Sequence, residues 1–187
     1  DRNRPFYNTT SPSMDILVSS NLERLLFALS GQNDEEVRGY MNALKQDGRY
    51  EVRPEIRAAL EKQFAAGFCD DEQTKQMIGR KYSENHYLID THTAVAFHVL
   101  EQYRKKTGDN TLTIVASTAS PFKFCNSVLN ALGETELEAG TKILKQLSDR
   151  TGVPVPTPLA TLDGKPARFD RCIEKEAMEE EVQTFLK

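Results

Sequence analysis

The sequence predicts a helix-rich α/β fold with few strands, and two patterns in the 187 residues carry this prediction. Amphipathic helical patterns, most of them preceded by a capping residue, recur along nearly the whole chain. One apolar run at 112–116 is strand-like and lies between two predicted helices, an order that is typical of α/β proteins. Polar and apolar residues do not alternate through this run, so we expect a strand covered on both faces, as in a parallel sheet.

Composition narrows the class of protein. The net charge of −4 argues against nucleic acid or an anionic membrane as the partner. No apolar run approaches the roughly 18 residues of a membrane span, and no signal-peptide pattern opens the chain. The three cysteines have no disulfide-framework spacing, so we expect reduced thiols in a cytoplasmic protein. Because the first residue is Asp1 rather than Met, we expect a piece of a longer protein. Three scattered cysteines and three histidines six residues apart predict no metal site.

Residues 1–32 are predicted to form an extended lead-in and a first helix. A short strand is expected at 14–18. Ser20 and Glu23 have the spacing of a capping box, which would start the helix, and Gly31 would close it.

Residues 33–68 are predicted to be a helical segment. Asn33 has the position of a cap for one helix. Pro54 suits the first position of the next helix, and Gly67 follows that helix.

Residues 69–187 are predicted to form the α/β part. Asp70 places negative charge at the start of one helix, and Asp90 caps another. A strand at 111–117 follows. The remaining helices of this part are amphipathic: 121–132, 134–147 and 171–185.

Small residues follow the predicted strand, with hydroxyls at 117, 118 and 120. Pro121 stands where a helix would begin, and Ser120 is placed to cap it. A buried strand that ends in hydroxyls and runs into a helix is where open α/β sheets bind ligands. On the residues alone, an ordinary strand–turn–helix with a serine cap remains the alternative.

Three stretches resemble motifs of the threonine synthase family. They occur in the family's order and cover essentially the whole chain: Ser11-Pro12-Ser13-Met14-Asp15-Ile16 with Ser19-Ser20-Asn21-Leu22-Glu23-Arg24, Ile89-Asp90-Thr91-His92-Thr93-Ala94, and 113–124. Thr91 stands where the family usually has proline. The resemblance is to the carboxyl-terminal part of those enzymes.

The resemblance implies an enzyme that uses pyridoxal phosphate on the type II, tryptophan-synthase-β-like fold. That family converts O-phosphohomoserine and water to threonine and phosphate. Its cofactor lysine, in a Phe-Lys-Asp setting, and its phosphate-binding glycine-rich loop would both lie upstream of residue 1. The missing amino-terminal part is therefore the expected partner, the chain alone is expected to be inactive, and association between copies stays open.

Thr118 matches the family's threonine whose hydroxyl meets the pyridine nitrogen of the cofactor. A neutral hydroxyl can donate to an unprotonated ring nitrogen, whereas a carboxylate would keep that nitrogen protonated. The resemblance therefore implies Thr118 as a cofactor-binding residue, with no catalytic residue and no metal ligand in this chain. The alternative is a structural hydroxyl that bonds to nearby backbone.

The other candidate site residues are better explained by structural roles than by functional ones. His92 on an apolar helix face is expected to be a core histidine. Lys123, near a helix start, could attract a phosphate, but a solvated side chain is the simpler interpretation. Four polar residues could line the substrate side, although caps and turns explain most of them: Ser13, Asp15, Ser19 and Asn21. Two alternatives remain open for the function, namely a threonine dehydratase and a non-catalytic helical interaction module.

Overall fold

The computed structural model describes residues 1–166 and 171–186. Within these residues the α-helices are α1 (Ser20–Leu29), α2 (Asp34–Gln46), α3 (Pro54–Gln63), α4 (Asp71–Asn85), α5 (Thr91–Thr107), α6 (Cys125–Ala131), α7 (Lys142–Thr151), α8 (Thr157–Ala160) and α9 (Met178–Phe185). Short 3-10 turns lie at Pro12–Met14, Pro121–Phe124 and Lys175–Ala177. The described part of the chain is thus helix-rich, as the sequence predicts.

Three of the predicted helix starts are confirmed by their capping bonds. The Asn33 side chain accepts a hydrogen bond from the backbone N–H of Glu36 at 3.0 Å. Asp70 forms a full capping box with Gln73, with hydrogen bonds of 2.8 and 3.1 Å. Asp90 caps α5. Each cap satisfies N–H groups that a helix start leaves without an intrahelical partner.

The predicted capping box at the start of α1 is wrong. The N-cap is Ser19, and its side chain makes no capping hydrogen bond. The strand predicted at 14–18 is also absent, because Pro12 opens a 3-10 turn through Met14. Proline has a fixed φ and no N–H, so it favours this turn over a strand ladder.

Three predicted α-helices begin later than expected. The helix predicted over 121–132 opens as the 3-10 turn Pro121–Phe124 and is observed as α6 only from Cys125. The helix predicted over 134–147 is observed as α7, which begins at Lys142, because Gly140 has a φ of +60° that a helix does not allow. The helix predicted over 171–185 is observed as α9, from Met178, and a 3-10 turn precedes it. Residues 167–170 lie outside the described part of the chain.

The helices form two apolar clusters. An amino-terminal cluster joins α1, α2 and α3 through buried Leu26, Val37 and Ile56. A larger carboxyl-terminal cluster joins α4 to α7, and Ile78 and Leu129 lie at its centre. Burial of these side chains provides the main stabilisation of each cluster.

The lead-in crosses from one cluster to the other. The backbone N–H of Arg2 donates to Gly48 O at 2.8 Å, next to the end of α2. Thr10 donates to the Asp71 carboxylate from both its backbone N–H and its hydroxyl, at 2.8 and 2.9 Å. The lead-in therefore brings the residue after Thr10, Ser11, to the start of α5.

The segment 111–117 is neither a helix nor a strand. Leu112 and Ile114 are each 93% exposed, and no described segment pairs with this one in a ladder. The strand and its predicted burial on both faces are therefore not found in this chain. A strand needs a neighbour for its backbone groups, and the described residues supply none.

The surface of the chain is large for its mass. The accessible area is 13994 Å², whereas a compact monomer of 21.1 kDa exposes about 9,000 Å². Large apolar side chains contribute to this excess, among them Phe68, which is 81% exposed. The two clusters therefore leave a great deal of apolar surface uncovered.

Candidate functional site

A buried polar cluster surrounds the start of α5. Ser11, Asp90, Thr91, His92 and Thr93 are all less than 5% exposed. Buried polar groups are costly unless they are hydrogen-bonded, so the partners of these side chains define what the cluster does.

Asp90 organises the first turn of α5. Its carboxylate accepts hydrogen bonds from the backbone N–H of His92 at 2.8 Å and of Thr93 at 3.3 Å. It also accepts a bond from the Thr93 hydroxyl. The negative charge lies at the positive end of the helix dipole, which stabilises it. The helix start is thereby satisfied by the protein's own carboxylate, so it is not an anion-binding site.

Thr93 connects α5 to the segment 111–117. Its Oγ1 lies 3.0 Å from the Ser117 Oγ, at the end of that segment. Thr118 is the next residue. A series of hydrogen bonds thus runs from Asp90, which is fully buried, to the residue beside the predicted cofactor contact.

His92 is buried, as a core histidine would be. Its Nδ1 is hydrogen-bonded to the Ser11 hydroxyl, and its ring packs against the Phe124 ring in a T-shaped arrangement with centroids 4.8 Å apart. The Nε2 is buried and has no partner among the described residues. No carboxylate contacts the imidazole in the described part of the chain, so Ser11 and His92 do not form a nucleophilic triad.

Thr118 is exposed, and its hydroxyl makes no hydrogen bond with any described residue. The alternative of a hydroxyl bonded to nearby backbone is therefore not observed. Ser120 does cap the following turn, since its Oγ accepts from the Phe122 N–H at 3.3 Å. Lys123 is exposed, and its ammonium group lies 5.3 Å from the centre of the Phe124 ring.

Two of the residues suggested for the substrate side have structural bonds. The Asp15 carboxylate accepts from the Thr9 N–H and hydroxyl, both at 2.7 Å. The Asn21 side chain accepts from Arg24 at 2.5 Å. Ser13 and Ser19 are exposed.

The sequence does not predict the link between Thr93 and Ser117, although both residues lie in the quoted motifs. One local signal existed, because Thr93 stands three residues after a capping Asp, where a side chain can fold back onto the cap. Within the described residues no three His, Cys, Asp or Glu side chains are grouped as metal ligands, and no helix is long and apolar enough to cross a membrane.

Two solved structures share this arrangement of helices. A crystal structure of threonine synthase from yeast matches 98% of this chain and 38% of its own, at 29% identity and a TM-score of 0.77. A pyridoxal-phosphate-bound threonine synthase from Brucella melitensis matches 81% of this chain and 31% of its own, at 33% identity and a TM-score of 0.63. The fold is that of the carboxyl-terminal part of a pyridoxal-phosphate enzyme.

Sequence comparisons specify the family. The family model described as "Threonine synthase, C-terminal" matches residues 93–185. Threonine synthase of Schizosaccharomyces pombe is 36% identical over 148 residues, and human threonine synthase-like 1 is 30% identical over 182 residues, which is 97% of this chain. The chain belongs to the threonine synthase family. It spans 29% of the fission yeast protein and 23% of the human one.

Proposed function

We propose that this chain supplies one wall of a pyridoxal-phosphate site in a longer threonine synthase, which converts O-phosphohomoserine and water to threonine and phosphate. The observation that carries the proposal is the exposed Thr118 hydroxyl, which has no partner among the described residues and directly follows the segment 111–117. The family membership and the pyridoxal phosphate bound by the Brucella relative support it.

Thr118 fits one contact of the cofactor. Its free hydroxyl can donate to the pyridine nitrogen and orient the ring while that nitrogen stays unprotonated. When bound, the cofactor supplies an electron sink for the substrate. The role of the protein at this edge is to hold the ring and to set the electronic state of its nitrogen.

The remaining contacts of the cofactor belong to the amino-terminal part of the longer protein. This sequence has no Phe-Lys-Asp and no glycine cluster of the phosphate-binding type. Lys123 lies in a 3-10 turn against Phe124 and is not proposed as the cofactor lysine. We propose a cytoplasmic location, which the unpaired thiols of Cys69, Cys125 and Cys172 support.

The first experiment changes Thr118 to Val in the full-length protein. Loss of one hydrogen bond should lower cofactor affinity about threefold to tenfold without unfolding the chain. The control is Thr161→Val, another exposed threonine, in the turn after α8. Cofactor titration followed by fluorescence gives the affinities, and a wild-type value for Thr118→Val would remove this residue from the site.

The second experiment tests where the covalent chemistry resides. The chain 1–187 is mixed with one equivalent of pyridoxal phosphate, reduced with borohydride and digested for mass spectrometry. We expect no reduced adduct on any lysine, because the reactive lysine lies outside this sequence. A stoichiometric adduct at one lysine of this chain would refute the assignment.

The large exposed surface favours a second candidate, a helical interaction module without catalysis. Assays of the full-length protein separate the candidates by their products. Phosphate release from O-phosphohomoserine indicates threonine synthase. Conversion of threonine to a 2-oxo acid indicates the dehydratase alternative, and no turnover with either substrate favours the interaction module.

A further inference from the structure

We infer that the hydrogen-bonded series Asp90–Thr93–Ser117 is the device that positions Thr118 for the cofactor, and that Thr93 and Ser117 are positioning residues. The inference rests on the proposed function and adds two residues to its site. A side-chain hydrogen bond joins the buried start of α5 to the exposed end of the segment, with the Oγ atoms of Thr93 and Ser117 3.0 Å apart.

The direction of these bonds follows from chemistry. A carboxylate oxygen can only accept, so the Thr93 hydroxyl donates its single proton to Asp90. Thr93 Oγ1 can then only accept from Ser117. The Ser117 proton must point inward, toward α5. Of the adjacent hydroxyls at 117 and 118, only that of Thr118 is left to donate outward.

The inner end of the series is rigid. Asp90 is fully buried and Thr93 is 2% exposed, and the carboxylate also receives two backbone N–H groups of α5. Ser117, by contrast, is exposed and lies in a segment that no described strand supports. Arg104 of α5 donates to Thr111 O and Thr113 Oγ1 at the beginning of this segment, at 3.2 and 3.3 Å. The hydrogen bond to Thr93 ties the other end of the segment, next to Thr118, to the same helix. Its loss would let the residue beside Thr118 move.

The test is a set of variants in the full-length protein, with cofactor affinity from fluorescence titration and the absorbance maximum of the bound cofactor as readouts. Thr93→Val keeps the shape of the side chain and removes both bonds, and Thr93→Ser restores them. Ser117→Ala removes only the hydrogen bond between Ser117 and Thr93. Because Ser117 is exposed, this change should leave α5 folded. Each change is also made together with Thr118→Val.

We expect Thr93→Val and Ser117→Ala each to lower cofactor affinity about threefold to tenfold. The absorbance maximum of the bound cofactor should shift in the same direction in both variants. Thr93→Ser should retain the wild-type values. In the Thr118→Val background neither change should lower affinity further, because a positioning residue acts through the residue it positions.

The matched control is Thr74→Val. Thr74 is also 2% exposed in the first turn of a helix, and its hydroxyl donates to Asp70 O at 2.8 Å, but it has no bond to the segment that carries Thr118. Its loss should leave cofactor affinity unchanged.

Wild-type affinity for Ser117→Ala would overturn the inference, even if Thr93→Val fails to fold. Equal losses from Thr93→Val with and without the Thr118 hydroxyl would also overturn it, since Thr93 would then act on the fold alone. If Thr118→Val itself binds cofactor normally, the proposed function fails. If Thr118→Val weakens binding while Ser117→Ala does not, only the positioning role fails.

Discussion

Thr91 is the residue at which this sequence departs from the family's Asp-Pro-His-Thr-Ala pattern, and the structure predicts that proline would stabilise the protein there. Thr91 is the first residue of α5, where the backbone N–H has no intrahelical partner to lose. The preceding residue, Asp90, has φ −82° and ψ 172°, the extended conformation that a following proline requires. Thr91→Pro should therefore fit without moving the backbone.

The magnitude has two parts. Thr91 is fully buried and its Oγ1 has no hydrogen-bond partner among the described residues, so its removal relieves about 1–3 kcal/mol. Proline also restricts the unfolded chain, which adds about 0.4–1 kcal/mol. We take a stabilisation of about 2 kcal/mol, which slows hydrogen exchange through opening of α5 by roughly 30-fold.

The assay is hydrogen exchange of the α5 peptides in the full-length protein, followed by mass spectrometry. Thr91→Val is the control, because it removes the hydroxyl but keeps the backbone N–H, and it should provide most of the gain. Faster exchange in Thr91→Val would show that the hydroxyl has a partner, which contradicts the reasoning. Faster exchange in Thr91→Pro alone would show that the N–H is used.

Two further predictions concern packing and thiol chemistry. Gly79→Ala should destabilise the fold by about 1–3 kcal/mol, because the new Cβ would lie 2.9 Å from Ala131 O, whereas Gly39→Ala meets no atom within 4 Å and should stabilise α2 by about 0.5–1 kcal/mol. Urea midpoints of the two variants should move in opposite directions, and a shift in the same direction would contradict this. Burial raises the pKa of the Cys125 thiol, so at pH 8 it holds less of the reactive thiolate than an ordinary thiol does. Iodoacetamide should therefore label exposed Cys172 well before Cys125, and equal rates by peptide mass spectrometry would refute this.

Helix starts could be predicted from the sequence because their causes are local. Asn33 and Asp70 are bonded to groups three residues away, and Asp90 to groups two and three residues away. A capping side chain and the N–H group that it bonds are therefore both visible in a short stretch of sequence. Gly140 is a local signal of the same kind, because its positive φ delays the start of α7.

The segment 111–117 could not be predicted in the same way. Its composition is that of a strand, and Leu112 and Ile114 have the residue types of a buried one. The residue types of a segment show that it suits a β-sheet, but it forms a strand only when a second strand pairs with it. The described chain supplies no neighbour, so these side chains remain exposed.

In the candidate site, too, local features can be predicted from the sequence, whereas contacts between distant residues cannot. The motif at 113–124 identifies Thr118 as a candidate, and the structure leaves its hydroxyl free within the described residues. The links from Ser11 to His92 and from Thr93 to Ser117 join residues 81 and 24 positions apart. No spacing rule of helices or turns extends that far, so only the fold reveals them.

The path of the lead-in has a consequence for how this part of the protein tolerates change. The chain leaves the carboxyl-terminal cluster near Thr10 and returns to it at Asp71, and these two residues are hydrogen-bonded to each other. The helices between them are thus an excursion whose two ends meet. The exposed connections between these helices can be lengthened at low cost, because each doubling of a flexible loop adds only about 0.6 kcal/mol of closure entropy. The helices themselves are fixed by their buried cluster of Leu26, Val37 and Ile56. Variation in length should therefore concentrate in the connections between these helices, whereas buried Ser11, which is bonded to His92 at the start of α5, should keep its place.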